Sequence, residues 1–204
     1  MSNYAAPIEV LQAALSRIGE TITSLTDGSA PALIAQANYE GIVRAALAYR
    51  GHGWTFATET IDLTQTGPVT KGMWRFAYAK PVDVMKVRSV STNGHRLRRD
   101  DFTIQGSSIL TVSDFDDLQA VVLKRAPEAD WSDDFAEVVV TRLEALYTRA
   151  LLERAQDARI RDKDADNMLL LALVSDKRQQ PVESTEAVPL AETWRGYGRR
   201  SRSV

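Results

Sequence analysis

The 204-residue chain contains no cysteine, only two histidines and no long apolar run. Without cysteine it has neither disulfides nor thiolate metal sites. Its longest apolar run, residues 168–174, is far shorter than the ~20 residues that span a bilayer. The start of the chain lacks the basic and apolar stretches of a signal peptide, so we expect an unprocessed soluble protein with no membrane partner.

The chain also lacks an excess of either charge, since 25 Lys and Arg stand against 27 Asp and Glu and leave a formal net charge of -2. Domains whose main task is to grip a nucleic-acid backbone usually carry a clear basic excess. The one short basic loop is followed directly by two acids that cancel much of its field, so we expect it to face solvent or protein rather than DNA. The loop contains Arg96, Arg98 and Arg99, followed by Asp100 and Asp101.

Motifs that indicate catalysis are missing as well: there is no Walker loop, dinucleotide fingerprint or nucleophile elbow. His52 and His95 have no partner at metal-ligand spacing. The paired acids Asp116-Asp117 and Asp133-Asp134 have the residue type of a glycosidase, but adjacent carboxylates are typical of loops and helix starts. We therefore predict that the protein is not an enzyme and has no catalytic, metal or cofactor site.

What the sequence does contain is a helical pattern at each end. The first predicted helix begins at Pro7, which suits the first helical position, and ends near Gly19. The second has Ser29 as its N-cap and ends at Gly51. Both carry apolar residues at helical spacing: Ile8, Leu11, Leu15 and Ile18 in the first, and Tyr39, Ile42, Val43, Ala46 and Tyr49 in the second.

Between residues 54 and 127 the pattern changes to short β-branched and aromatic segments separated by Gly, Pro, Asn or Asp. Asn93-Gly94 is the strongest hairpin signal, because this pair accepts the positive φ angles of a type I′ turn. We predict a small antiparallel sheet here. The predicted strands are 58–64, 74–78, 82–90, 102–104, 109–112 and 120–123.

Helical spacing returns in the last third of the chain, where Ser132 is the predicted N-cap of the longest helix. The mixed-charge stretch 153–166 either prolongs this helix or holds the turn to the next one. The last helix is apolar nearly all round, so it must be buried on several faces. Two explanations are open for Leu170, Leu171 and Val174: a neighbouring subunit covers them, or the sheet packs on them.

These patterns predict an α+β protein. Residues 1–53 and 128–181 form a four-helix bundle from the N- and C-terminal helix pairs, and residues 54–127 form the inserted small antiparallel β-sheet. Residues 182–204 offer little to bury and are expected to be a disordered C-terminal tail.

Large aromatics flanked by arginines stand out in this tail. Such residues often anchor interfaces, and a disordered segment that carries them often folds on a partner. A docking tail and an ordinary solubilising tail are both consistent with the composition. The candidate docking residues are Trp194, Arg195, Tyr197, Arg199, Arg200 and Arg202.

Four short segments are informative through their order and spacing along the chain: 16–20 (SRIGE), 24–29 (SLTDGS), 53–57 (GWTFA) and 74–84 (WRFAYAKPVDV). Their succession resembles the head-to-tail adaptor, or connector, proteins of tailed bacteriophages, including the tail tubular protein A group of short-tailed phages. The resemblance covers roughly residues 8–181 and rests on the order and spacing of the segments.

The resemblance implies a structural role in the virion neck or tail, assembled in the host cytoplasm. Twelve copies would bind the phage portal as a ring, extend the channel for double-stranded DNA without sequence-specific binding, and support a downstream tail or nozzle protein. It also implies that the C-terminal tail contacts the portal. The alternatives are a nucleic-acid-binding DNA-packaging module and a tail-associated cell-wall hydrolase, for which no specific motif is present.

Overall fold

The computed structural model of the protein describes residues 4–51 and 53–178, which form four helices and eight strands. The helices are α1 (Pro7–Ser16), α2 (Ala30–Leu47), α3 (Asp133–Leu151) and α4 (Ala155–Arg178). The strands are β1 (Thr58–Asp62), β2 (Gln65–Lys71), β3 (Trp74–Ala79), β4 (Val84–Thr92), β5 (His95–Arg96), β6 (Phe102–Gln105), β7 (Ser108–Thr111) and β8 (Leu118–Lys124).

The predicted helix starts are confirmed by their capping hydrogen bonds. The Ser29 hydroxyl accepts from the backbone N–H of Ala32, and the Ser132 hydroxyl from that of Phe135, each at 3.3 Å. Each serine thereby satisfies one of the N–H groups that the first turn of a helix leaves without a partner. Gly19, the predicted stop of α1, has a φ of +80°, which glycine adopts at little cost.

Two helix boundaries could not be placed correctly from the sequence. Helix α2 ends at Leu47, earlier than predicted, and a 3-10 turn follows at Tyr49–Gly51 with Arg50 at a φ of +50°. The stretch 153–166 does not prolong α3, because Glu153 has a φ of +56° and α4 begins at Ala155. Most of that charged stretch therefore belongs to the last helix.

The predicted four-helix bundle is wrong. Helices α1, α2 and α4 each pack chiefly on α3, so α3 lies at the centre of the helical region rather than at one corner of a bundle. The reason is that α3 buries side chains around most of its circumference, whereas one apolar stripe would serve a bundle corner. Its buried apolar residues are Phe135, Ala136, Val138, Val139, Val140, Leu143, Ala145 and Tyr147.

The predicted small inserted sheet is also wrong, since the middle of the chain forms two four-stranded antiparallel sheets. Their strand orders are β1-β8-β4-β5 and β2-β3-β7-β6. Apolar side chains of both sheets share one buried cluster, which includes Tyr78, Val90, Ile109 and Val122. The sheets thus have a core of their own beside the larger core among the helices.

Two strands are absent from the predicted set: the two-residue β5, which completes the predicted Asn93-Gly94 hairpin, and the longer β2. Strand β2 contains Gly67 and Pro68 and is mostly exposed, so it shows no apolar alternation. It forms at a sheet edge by pairing with β3, where a proline is tolerated. The Asn93-Gly94 hairpin is confirmed: the two residues have φ angles of +47° and +77° and join β4 to β5.

Aromatic side chains connect the sheets to the helices. The Trp54 and Phe56 rings lie 4.9 and 5.3 Å from the Phe135 ring of α3. Between them, the backbone N–H and the hydroxyl of Thr55 both donate to the buried Asp176 carboxylate at 2.9 Å. The end of α4 is thereby fixed beside the start of the sheets.

Candidate assembly surface

Ion pairs fix helix α4 along α3. Arg142 donates to Asp166 at 2.7 Å, and Arg149 donates to Asp162 at 2.6 Å. These pairs are partly exposed, so each contributes little free energy by itself, but together they set the rotation of α4 about its axis.

A buried carboxylate adds a third connection between the helices. Glu144 on α3 is only 3% exposed; it accepts a hydrogen bond from Arg17 at 3.4 Å and forms an ion pair with Arg161 at 3.1 Å. Arg17 also contacts both oxygens of Glu137 at 2.7 Å. Burial lowers the pKa of Arg17, but its hydrogen bonds and ion pairs with Glu137 and Glu144 outweigh that effect and raise it. The end of α1, α3 and α4 therefore form one rigid unit.

This rigid unit exposes an apolar stripe on α4, whose opposite face is buried. Leu171 is 72% exposed and Val174 is 50% exposed, while Leu170 beside them is half-buried. The sheets do not cover Leu171 and Val174, so the expectation that sheet packing alone buries this helix is wrong for these two residues. The residues proposed from sequence as a subunit interface therefore lie together, with two of the three open to solvent.

One member of the stripe was missed by sequence reasoning. Ile160 is 59% exposed and lies on the same helix face, separated from Leu171 by the exposed Asp164 and Asn167. The spacing of four, three, four and three residues from Ile160 to Val174 is that of a helix seam that packs on another helix. The signal was present in the sequence, but the surrounding charges of the stretch 153–166 concealed it.

A groove of about 340 Å³ runs beside the stripe between α3 and α4. Its walls combine apolar side chains with two carboxylates, and they are formed by Asp134, Glu137, Met168, Leu171, Ala172 and Ser175. An apolar side chain with a neighbouring cation suits such a groove, because the cation could pair with Asp134, whereas Glu137 is already paired with Arg17.

The predicted docking residues of the C-terminal tail, Trp194, Arg195, Tyr197, Arg199, Arg200 and Arg202, lie outside the described residues. His52 lies outside them as well, and His95 is exposed on β5. Within residues 4–51 and 53–178 no group of three or more acids or histidines is arranged to hold a metal ion. No helix of this part is both long and apolar enough to cross a bilayer.

The basic loop does not reach the α4 surface. The backbone N–H of Arg98 donates to the Asp101 carboxylate at 3.1 Å, which closes a turn. Arg99 instead lines a separate cleft with Lys86 and Arg88 of β4. Sequence reasoning did not bring these three cations together, because they are brought close only by the packing of the two sheets.

No protein-family model matches this chain, and the search of curated proteins found no match.

Proposed function

We propose that this protein is a structural head-to-tail adaptor of a tailed bacteriophage. In this role, copies of the chain bind the portal as a ring of twelve, extend the DNA channel and provide the platform for a downstream tail or nozzle protein. The order of the four sequence segments supports the proposal. The double-stranded DNA would pass through the ring without sequence-specific contacts, in keeping with the near-balanced charge.

The observation that carries the proposal is the apolar stripe on a rigidly held helix. Leu171 and Val174 project from a surface whose orientation is set by Glu144 and the ion pairs between α3 and α4. A neighbouring subunit that covers them would gain about 1 to 2 kcal/mol from each side chain, since part of each is already buried. Such a contact is specific but weak.

Weak contacts suit assembly on a template. Association of two free subunits costs at least about 4 kcal/mol in lost translational and rotational freedom. Two or three apolar side chains barely offset that cost, whereas subunits already bound to a portal need not lose this freedom again. We therefore propose that the free protein stays a monomer or small oligomer and forms the ring only on the portal. A stable ring of twelve in size-exclusion chromatography of the free protein would contradict this.

The C-terminal tail is the proposed portal anchor, with Trp194 and Tyr197 as its aromatic contacts. Ordering such a segment costs roughly 2 to 5 kcal/mol, which only a large interface offsets. A chain that ends at Pro181 should fold yet fail to bind purified portal in a pull-down. Normal binding would remove this role from the tail.

The stripe is tested by charge insertion. Leu171→Glu should leave the fold intact, because the side chain is exposed, but it should abolish or strongly reduce the number of copies on each portal in native mass spectrometry. Leu33→Glu is the matched control, since Leu33 is 57% exposed on α2 and lies outside the stripe. Full occupancy of the portal by Leu171→Glu, or equal losses for both variants, would contradict the proposed interface.

A DNA-packaging module is the second candidate, because Lys86, Arg88 and Arg99 share a cleft and have no ion pair among the described residues. Duplex DNA binding through such cations must weaken steeply with salt. A gel-shift experiment at two ionic strengths tests this. Salt-sensitive binding that is lost in Lys86→Gln/Arg88→Gln would favour the second candidate over the first.

A further inference from the structure

The cleft that Lys86, Arg88 and Arg99 share has a volume of about 490 Å³ and lies between the two sheets. One wall is formed by residues 86–88 of β4 and the other by residues 102–104 of β6, with Gly51 and Arg99 completing the lining. Side chains of a strand alternate between its two faces. A cleft lined by three consecutive residues of each strand therefore faces the strand edges.

Both of these edges lack a neighbouring strand in the part of the chain that the structure describes. Strand β6 is the last strand of its sheet and pairs only with β7. Strand β4 pairs with β5 only through Ser91 and Thr92, which leaves residues 84–89 unpaired on the side away from β8. Unpaired edges present free N–H and C=O groups and readily accept an added strand.

The chemistry of the cleft selects an acidic strand. Three cations and no carboxylate line it, and none of the three cations has an ion pair among the described residues. The walls also offer apolar surface, since Ile104 is 43% exposed and Val87 and Phe102 are half-buried. An occupant should therefore combine carboxylates with small apolar and β-branched side chains.

Residues 182–188 of the same chain have this composition. The segment (VESTEAV) lies between Pro181 and Pro189, carries Glu183 and Glu186, and contains no Lys or Arg. Three of its residues, Val182, Thr185 and Val188, are β-branched and favour strands. Fully extended, seven residues span about 23 Å, which is enough to run along the unpaired part of β4.

The end of α4 contacts the chain segment that begins at the cleft residue Gly51. Asp176 accepts two hydrogen bonds from Thr55, which follows the cleft residue Gly51 closely in the chain. The Lys86 side chain extends over Gly51. A Cβ atom added to Gly51 would lie only 2.7 Å from the Lys86 Nζ atom. Residues 179–181 then remain to lead from α4 to the start of the segment, and they cover up to about 10 Å.

We propose that residues 182–188 bind in the cleft between β4 and β6 of their own chain as an added strand, with Glu183 and Glu186 on opposite faces of that strand, so that one of the two carboxylates lies beside Lys86 and Arg88. The segment joins the free edges of the two sheets and leaves Trp194 to Arg202 beyond it. The proposal concerns the free chain and stands whether or not the protein is a phage adaptor.

Hydrogen–deuterium exchange of the full chain at low salt tests the proposal. In the wild type, peptides covering 182–188, 84–89 and 102–105 should exchange at least ~10-fold more slowly than in Glu183→Gln/Glu186→Gln. Lys86→Gln/Arg88→Gln/Arg99→Gln should lose the same protection, and high salt should weaken it. Arg96→Gln/Arg98→Gln is the matched control, because these cations lie outside the cleft lining, and it should keep the protection. Unchanged exchange of α3 verifies that each variant is folded.

Exchanging the charges of the cleft and of the segment distinguishes a direct ion pair between them from a general effect of net charge on hydrogen exchange. Combining Lys86→Glu/Arg88→Glu with Glu183→Lys/Glu186→Lys should restore protection that either pair of changes alone abolishes. Exchange of 182–188 at the rate of an unstructured peptide in the wild type would overturn the proposal. Lys86, Arg88 and Arg99 would then be edge charges that prevent pairing with other chains. Protection that appears only at high protein concentration would overturn the proposal in favour of a neighbouring copy, and protection of the cleft only by added duplex DNA in favour of a nucleic-acid site.

Discussion

The helical region and the two sheets hold their shape in different ways. Around α3, large side chains such as Trp131, Phe135 and Tyr147 are fully buried, and ion pairs to α4 close the outside. The sheets have a smaller core and leave the edges of β4 and β6 unpaired. Apart from the α4 stripe, the helical region therefore buries its apolar side chains within itself. The sheet region, in contrast, has strand edges whose backbone N–H and C=O groups have no neighbouring strand among the described residues. The comparison shows that the helical region is fixed by its own packing and ion pairs, whereas the sheet region has strand edges to which further chain could be added.

The largest expected effect is the loss of an aromatic ring at the centre of the helical region. Phe135→Ala should lower the free energy of unfolding by about 3 to 5 kcal/mol, because the ring is fully buried against Trp54, Phe56 and Trp131. Urea unfolding measures this. Phe115→Ala, a half-buried ring beside the sheet core, is the matched control and should cost clearly less. Equal costs would break the distinction between the two regions.

A smaller effect is expected from the buried carboxylate that joins α1, α3 and α4. Glu144→Gln should lower the free energy of unfolding by about 1 to 2 kcal/mol, because it weakens the charged hydrogen bond to Arg17 and the ion pair with Arg161, which solvent partly screens. Asp162→Asn is the control, since its pair with Arg149 is about half exposed on both sides, and it should cost less than about 1 kcal/mol. If chemical denaturation gave the same value for both variants, the buried Glu144 would hold α4 no more strongly than the exposed Arg149–Asp162 pair does.

The smallest effect on the free energy of unfolding at neutral pH is expected from a change at Tyr147, which should also alter the stability at alkaline pH. Burial raises the pKa of its hydroxyl to about 12, and the hydroxyl donates to the Pro31 carbonyl at 3.4 Å. Because the folded-state pKa lies above the unfolded value of about 10, this contribution is complete below about pH 10 and is lost as the pH rises towards 12.

Tyr147→Phe should therefore change stability by less than about 1 kcal/mol near neutral pH, since one long hydrogen bond is lost. It should also make the decline between about pH 10 and 12 shallower in urea titrations. Some decline should remain, because burial, together with Glu128, also raises the pKa of Tyr39. An identical alkaline profile for variant and wild type would show that Tyr147 is not titrated from a buried state.

Local signals in the sequence predicted local structure well. The capping serines Ser29 and Ser132 and the Asn93-Gly94 turn act through hydrogen bonds and backbone angles within a few residues, so they can be identified without the fold. The arrangement of the helices could not be predicted in this way, because periodicity identifies which face of a helix is buried but not which helix covers it. Strand β2 was missed because it forms by pairing with β3 rather than from its own pattern.

The same division applies to the candidate sites. Leu171 and Val174 could be identified from sequence because a helix that is apolar nearly all round exceeds what its neighbours cover. The cleft of Lys86, Arg88 and Arg99 could not, because it depends on two sheets meeting at particular strand edges. Pairing between residues distant in the chain has no signature in a single short segment.

The most direct test of the proposed adaptor role is a cryo-EM reconstruction of the purified protein mixed with a tailed-bacteriophage portal. We expect a closed ring of this chain on the portal, in which Leu171 and Val174 of each copy are buried against the neighbouring copy. A portal without the protein, or a ring in which both side chains remain exposed to solvent, would contradict the account.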